Sequence, residues 1–184
     1  VKVSTGVGTS VISNGILQRG GRNVAGHIGH VAVPRGAGIR CDCGRTGCVA
    51  AIASVPAILT ALRANGVPAD DSNDIINLVR SGDPVARDAV REAGCALGEI
   101  LIAAVALVNP EIIAIGGSLA QVSEHLIAGI REVVYARAMP LATENLLIVP
   151  SKLGSDAGVI GASMMAVERL FSPAGVTWML SKAA

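Results

Sequence analysis

The chain has 184 residues, 51% of them apolar and 16% charged, with 22 glycines and 8 prolines; it is long enough to bury a core, too apolar for a disordered chain, and too poor in Gly and Pro for a collagen-like or low-complexity one. The mean hydropathy of +0.57 does not make a membrane span, because the longest uninterrupted apolar run, Ile100 to Val108, is nine residues where a spanning helix needs about twenty. The net charge of +1 hides seven Lys/Arg against one Asp over residues 1–69 (+6) and eight against thirteen over the remainder (−5), an excess that an anionic ligand or a solvated basic face would account for.

With Tyr135, Phe171 and Trp178 as its only aromatics, the chain has the material for helices closely packed on a sheet and none for a surface that stacks nucleic-acid bases. It opens on Val1 in a strand-like run, which reads as a fragment whose N-terminal part is missing. Val1 to Ser4 and Val7 to Ser13 are rich in β-branched residues, and Ser13-Asn14-Gly15 supplies a hairpin turn before Ile16-Leu17, so residues 1–19 are expected to form a β-meander. Residues 20–50 hold eight of the 22 glycines and three of the four cysteines, the mark of a long loop, with one short strand expected at His30 to Val33.

From residue 51 the period turns helical. Ser54 is placed to cap a helix over Pro56 to Ala64, and Ser72 another through Arg80 that ends at Gly82. Asp83-Pro84 starts a central helix reaching Val108, with Val85, Ala89, Leu97, Leu101, Ala104 and Val108 on one face. A strand at Glu111 to Ile115 ends in Gly116-Gly117, Ser123 caps a helix to about Ala138, Leu146 to Val149 is a further strand, and Asp156 caps a last long helix. In that helix Gly158, Gly161, Ala162 and Met165 form a small-residue face expected to let a neighbour approach closely. Alternating strands and helices imply parallel pairing.

His30, Cys41, Cys43 and Cys48 form His-x10-Cys-x-Cys-x4-Cys. Three thiolates and one imidazole are the donors of a closed tetrahedral zinc site, and Gly38, Gly44 and Gly47 supply tight turns that would bring them together. Such a site has no vacancy for water, so the zinc is expected to be structural. The other reading of four cysteines is two disulfides; the lack of a leader and the position of Cys95 within the central helix, with no sequence-near partner, speak against it. Three thiolates around Zn²⁺ leave a net −1 that Arg40 and Arg45 are placed to offset.

The segments Ala25-Gly26-His27-Ile28-Gly29-His30 and Cys41-Asp42-Cys43-Gly44-Arg45-Thr46-Gly47-Cys48 together resemble the signature of the ROK family of repressors, open reading frames and sugar kinases. Ser4-Thr5-Gly6-Val7-Gly8 resembles that family's phosphate-binding turn, Asn109-Pro110-Glu111 through Gly116-Gly117-Ser118 its adenosine-side strand and loop, and Gly158-Val159-Ile160-Gly161-Ala162 its terminal helix. The resemblance implies an α/β fold of the actin-like, ribonuclease-H-like ATPase type, with residues 1–184 as the C-terminal lobe carrying helical additions and a zinc-binding loop. It also implies nucleotide-binding positions, weak or vestigial, at Thr5, Gly6, Gly8, Gly116 and Gly117, and sugar-binding positions at 27 and 50.

The departures from the family pattern bear on function. Where the kinases carry two sugar-binding glutamates this chain has His27 and Ala50, and where they usually have Gly-Thr-Gly it has Ser4-Thr5-Gly6. His27 reads equally as a sugar ligand and as a polar loop residue, and the glycine turn reads also as a plain β-turn. The family's catalytic aspartate belongs to the N-terminal lobe, so no catalytic residue is assigned here. These departures favour the ligand-sensing and dimerisation part of a sugar-responsive transcriptional regulator, and lean against an enzyme. The alternative is the C-terminal lobe of an ATP-dependent sugar kinase of the glucokinase or N-acetylhexosamine kinase kind, with ATP as cofactor. The expected setting is cytoplasmic, with self-association as a dimer or tetramer, a sugar or sugar derivative as ligand, DNA only through a missing N-terminal domain, and no membrane.

Overall fold

The computed structural model describes residues 1–183. The first strand, β1 (Lys2–Val3), turns through Ser4–Gly6 into β2 (Val7–Gly8) and pairs with it antiparallel. The run expected to continue to Ser13 then breaks, because Thr9 leaves the sheet to donate to the Gly26 carbonyl at 2.9 Å. β3 (Val11–Ser13) and β4 (Ile16–Gln18) make a separate two-stranded ribbon, so the expected single meander is two structures. Its turn is the one the sequence suggests: Asn14 and Gly15 both have positive φ, 52° and 74°, as a two-residue hairpin turn requires.

The strand expected at His30 to Val33 is also different. Ile28–His30 is a turn of 3₁₀ helix, and extended pairing is confined to one bridge, Ala32 to Cys48, flanked by Val33 N–H to the Gly47 carbonyl and Val49 N–H to the Val31 carbonyl. The backbone there is committed to the cysteine segment rather than to a sheet.

Helices follow. α1 (Ala50–Ala53) leads into α2 (Val55–Ala64), where the Ser54 hydroxyl accepts from the Ala57 N–H at 3.3 Å, the expected cap. α3 (Ser72–Ser81) is capped by Asp71 and not by Ser72: the Asp71 carboxylate accepts from the N–H groups of Asn73 and Asp74 at 2.7 and 3.0 Å, while Asp74 reaches back to the Asp71 N–H. A charged acceptor bonds these orphan donors more strongly than a hydroxyl, and the donation holds the Asp71 carboxyl below the usual range. α4 (Pro84–Val108) is 25 residues, about 37 Å at the standard rise, and starts at Asp83-Pro84 as expected, with the Asp83 carboxylate accepting from Ala86 N–H at 2.8 Å.

The buried stripe of α4 runs through Ala86, Val90, Ala93, Leu97, Leu101 and Val105, about one residue round from the expected face; Val85 and Ala89 are half-buried and Val108 is exposed. The reason lies in the next helix. After β5 (Ile112–Gly117) comes α5 (Ser123–Arg137), which begins at Ser123 with Val122 as the residue before it, and a Cβ on Gly94 would overlap the Leu126 carbonyl while one on Gly129 would overlap the Arg91 carbonyl. Backbone-to-backbone approach at these glycines fixes the rotation of α4, a constraint that apolar periodicity does not encode. α6 (Pro140–Thr143) and β6 (Leu147–Pro150) complete the layer, tied to α5 by Arg131 donating to the Ile148 carbonyl at 2.6 Å and Tyr135 to the Leu146 carbonyl at 2.9 Å.

The sheet order is β2-β1-β5-β6, with β1–β5 and β5–β6 parallel. One apolar core runs from Val3 through Ile58, Leu62, Ile75 and Leu97 to Ile130 and Ile148. No helix among the described residues is long and apolar enough to cross a membrane.

Residues from Lys152 onward form a second compact unit. It holds α7 (Ala157–Leu170) and α8 (Pro173–Ala183), so the helix expected to be last is followed by another, begun by Pro173 and capped by the Ser172 hydroxyl accepting from Gly175 N–H at 3.0 Å. The Asp156 side chain makes no capping bond to α7. Within this unit no atom lies within 4 Å of where a Cβ on Gly158 or Gly161 would stand, so the close approach expected of that face does not occur there.

Candidate functional site

The loop between β4 and α1 folds back on itself through short backbone bonds. Cys41 N–H donates to the Arg45 carbonyl at 2.8 Å, Gly44 N–H to the Cys41 carbonyl at 2.9 Å and Gly47 N–H to the Ile39 carbonyl at 2.9 Å, closing a knuckle whose tip is Gly44 at φ 86°. The knuckle, with the 3₁₀ turn at Ile28–His30, brings one donor atom from each of His30, Cys41, Cys43 and Cys48 within 4.8 Å of one another. Cys41 Sγ lies 3.6 Å from His30 Nδ1, and Cys43 Sγ 3.6 Å from Cys48 Sγ. A tetrahedron with Zn–S of about 2.3 Å and Zn–N of about 2.0 Å has edges of about 3.5 to 3.8 Å, so these two separations are those of donors around one zinc ion, and the donor set could coordinate one. All four cysteines are free thiols, and Cys95 is buried in α4 away from the cluster.

The electrostatics of the knuckle favour a cation. The Arg45 N–H and then its guanidinium bond the Cys43 sulfur and hold that thiol down to about 6, whereas burial, followed by the neighbouring sulfurs, pushes Cys48 up to about 11. One sulfur is a ready anion and another ionises only when a positive ion arrives. Arg45 thus takes the charge-offsetting place expected of it; Arg40 pairs through its backbone with Thr46.

A further basic residue of the loop has a definite partner. Arg35 donates through Nη1 to Glu92 at 2.6 Å and through its backbone N–H to Glu99 at 3.1 Å, and Glu99 is also approached by Arg137 of α5 at 3.7 Å. The Glu99 side chain is only 7% exposed, so the loop is pinned to α4 by a nearly buried carboxylate and not merely by surface charge.

His27 is exposed and stands just before the 3₁₀ turn, while Ala50, half-buried, opens α1 directly after the last cysteine and Val49. Gly29 joins the two: a Cβ there would overlap the Val7 carbonyl and lie 3.6 Å from the Ala50 Cβ. The segment carrying His27 is thereby held against β2 and the start of α1.

Four of the five glycine-turn positions come together at one end of the sheet, and the fifth, Gly8, lies in β2 opposite Lys2. β1 and β5 run parallel with Val3 opposite Gly117, so the Ser4–Gly6 turn after β1 and the chain at Ser118 after the Gly116-Gly117 end of β5 leave the sheet at the same end. Gly117 has φ 109° and a Cβ there would overlap the Val3 carbonyl, so only glycine fits. Thr5 and Gly6 are exposed, and nothing lies within 4 Å of a Cβ on Gly6 or Gly8. The Ser4 and Ser118 hydroxyls are 2.7 Å apart, a contact across 114 positions that no sequence signal announces.

A model of the ROK family matches residues 1–169. An N-acetylmannosamine kinase of Haemophilus influenzae is 36% identical over 173 residues, 89% of this chain and 52% of that protein. The crystal structure of a ROK family glucokinase from Streptomyces griseus, in complex with glucose and AMPPNP, matches with a TM-score of 0.74 at 28% identity over 89% of this chain and 58% of that one. The crystal structure of a ROK family transcriptional regulator, a homologue of the Escherichia coli MLC protein, matches with a TM-score of 0.74 at 28% identity over 81% and 40%. The chain spans about half the length of the curated relatives it matches. Its fold is the α/β fold of the actin-like, ribonuclease-H-like ATPases with helical additions. The expectation that leaned against an enzyme is corrected by these comparisons, since further curated relatives are likewise named glucokinase or N-acetylmannosamine kinase.

Proposed function

We propose, since the chain belongs to the ROK family, that it is the C-terminal lobe of an ATP-dependent sugar kinase. The observation that carries this is the meeting of the Ser4–Gly6 turn, with Thr5 and Gly6 exposed on it and Gly8 following in β2, and the Gly116-Gly117 end of β5 at the carboxyl ends of two adjacent parallel strands, where open α/β sheets take their ligands. In this reading the turn at 4–6 and the loop at 116–118 flank the nucleotide, and exposed backbone N–H groups meet the phosphates. The sugar lies against the segment 27–30 and Ala50. Phosphoryl transfer is mostly a matter of positioning and charge. The lobe's part is to place the donor, and no residue of this chain is assigned to take the sugar proton.

His30, Cys41, Cys43 and Cys48 hold the zinc in this proposal. With four protein donors the ion has no open position, so it supplies cross-linking of the loop and no hydrolytic chemistry. Through the knuckle it fixes the 27–30 segment beside Ala50. Self-association as a dimer or tetramer and a cytoplasmic setting belong to the same proposal.

The regulator reading has the support of one solved relative and would add DNA as a partner outside these residues; the kinase names among the curated relatives weigh the other way. Calorimetric titration of the zinc-loaded protein with ADP, and separately with glucose and N-acetylmannosamine, tests the kinase reading. Saturable binding of ADP and of one sugar is expected. Heat from neither class of ligand would contradict it.

A further inference from the structure

Ser4 is fixed from three sides. Its N–H donates to the Gly6 carbonyl at 3.0 Å, its carbonyl accepts from the Val55 N–H at the start of α2 at 2.8 Å, and its hydroxyl lies 2.7 Å from that of Ser118. Ser118 follows Gly117, whose backbone is pressed against the Val3 carbonyl. The hydroxyl pair therefore closes a bridge between the two turns, next to the place where their strands are already paired. Both serines are half-buried, and neither hydroxyl has another hydrogen bond among the described residues.

Two hydroxyls carry two protons and a single bond between them uses one. The second is left to donate to whatever occupies the edge of the sheet. At the tip of the same turn, the N–H groups of Thr5 and Gly6 and the Thr5 hydroxyl make no hydrogen bond within the described residues, and the space beside Gly6 is open. Backbone donors, an unspent hydroxyl proton and no carboxylate among these residues favour an oxyanion.

We propose that the Ser4–Ser118 hydroxyl pair is a phosphate-binding clasp, which holds the two turns in register and gives its free proton to a phosphate oxygen of the bound nucleotide. This rests on the nucleotide reading above and deepens it. The two serines are positioning and binding residues for the phosphates and have no part in recognising the adenosine.

The test is calorimetry on the zinc-loaded chain and its Ser4→Ala, Ser118→Ala, doubly substituted and Ser4→Thr variants, with ATP, ADP and adenosine, and with melting temperatures taken in the absence of ligand. Each alanine variant is expected to weaken ATP and ADP by about tenfold, the loss of a hydrogen bond to a charged group. The double variant should lose much less than the product of the single losses, because each deletion breaks the same pair. Adenosine binding stays unchanged and Ser4→Thr, which keeps the hydroxyl, restores the phosphate affinity. If wild type binds ATP and the alanine variants bind it equally well, the clasp is wrong and the nucleotide reading stands. Parallel loss of adenosine affinity, or of the unliganded melting temperature with no phosphate-dependent part, reduces the pair to a structural contact and overturns the proposal. If wild type binds no adenine nucleotide, the nucleotide reading fails and the clasp with it.

Discussion

The knuckle and the α4–α5 layer are neighbours in one unit and are held by opposite means. Between α4 and α5 the backbones touch at Gly94 and Gly129, and the buried aliphatic side chains from Val90 to Ile130 need nothing but exclusion from water. In residues 20–50 the buried apolar side chains are Val33, Val49 and two of the ligand cysteines, far too little to offset the entropy of ordering some thirty residues. In the proposed reading a metal makes up the difference: a segment with so few buried apolar side chains takes its order from the four donors closing on one ion and from Arg35 on Glu92 and Glu99.

The largest effect should come from breaking that difference at the metal. Cys48→Ser, or a strong chelator, is expected to cost at least about 4 kcal/mol, with amide exchange rising across 27–49 first and the α4–α5 amides protected longer. Equal and simultaneous loss in both regions would contradict a knuckle held by metal and a layer held by packing. Acid should work in the same direction. The Cys43 thiol is held below its ordinary value, so its thiolate favours the folded knuckle at pH above that ordinary value, and the advantage fades as pH falls through about 6. Zinc binding displaces the thiol protons, so zinc release followed with a colorimetric chelator should rise on acidification.

The mirror experiment acts on the layer. Gly94→Val puts a side chain where the Leu126 carbonyl stands, and a destabilisation of about 3 kcal/mol by denaturant titration is expected, with zinc content unchanged. A smaller effect belongs to the sugar side. If a hexose is bound beside the 27–30 segment, the pair of changes His27→Glu and Ala50→Glu should tighten glucose, N-acetylglucosamine or N-acetylmannosamine by about tenfold, because charged acceptors bond hydroxyls more strongly. No gain for any of the three, by calorimetry, would break the link between these two positions and hexose recognition. The smallest expected change is Ser54→Ala, which removes the α2 cap at a cost of about 1 kcal/mol, read as a small fall in melting temperature.

Much of this was legible in the residues, and the failures have physical causes. The four donors were readable because metal chemistry restricts both residue type and spacing, and their convergence needs only local turns. The hairpin at Asn14-Gly15 and the start of α4 at Asp83-Pro84 follow from local backbone preference in the same way. The phase of α4 was not readable, since it is set by glycine contacts with a helix thirty residues away. Nor was the split of the expected meander, which depends on Gly26 capturing Thr9, or the cap of α3, where Asp71 outcompetes the adjacent Ser72. Ser4 and Ser118 lie 114 positions apart, and only the parallel register of β1 and β5 brings them together. In the candidate site, as in the fold, what is local was visible and what is long-range was not.

X-ray absorption at the zinc edge, on protein purified without added metal, tests the central claim most directly. The account predicts one zinc per chain in a shell of three sulfurs at about 2.3 Å and one nitrogen at about 2.0 Å, from Cys41, Cys43, Cys48 and His30. A folded sample with no zinc edge, or a shell dominated by oxygen, would contradict it.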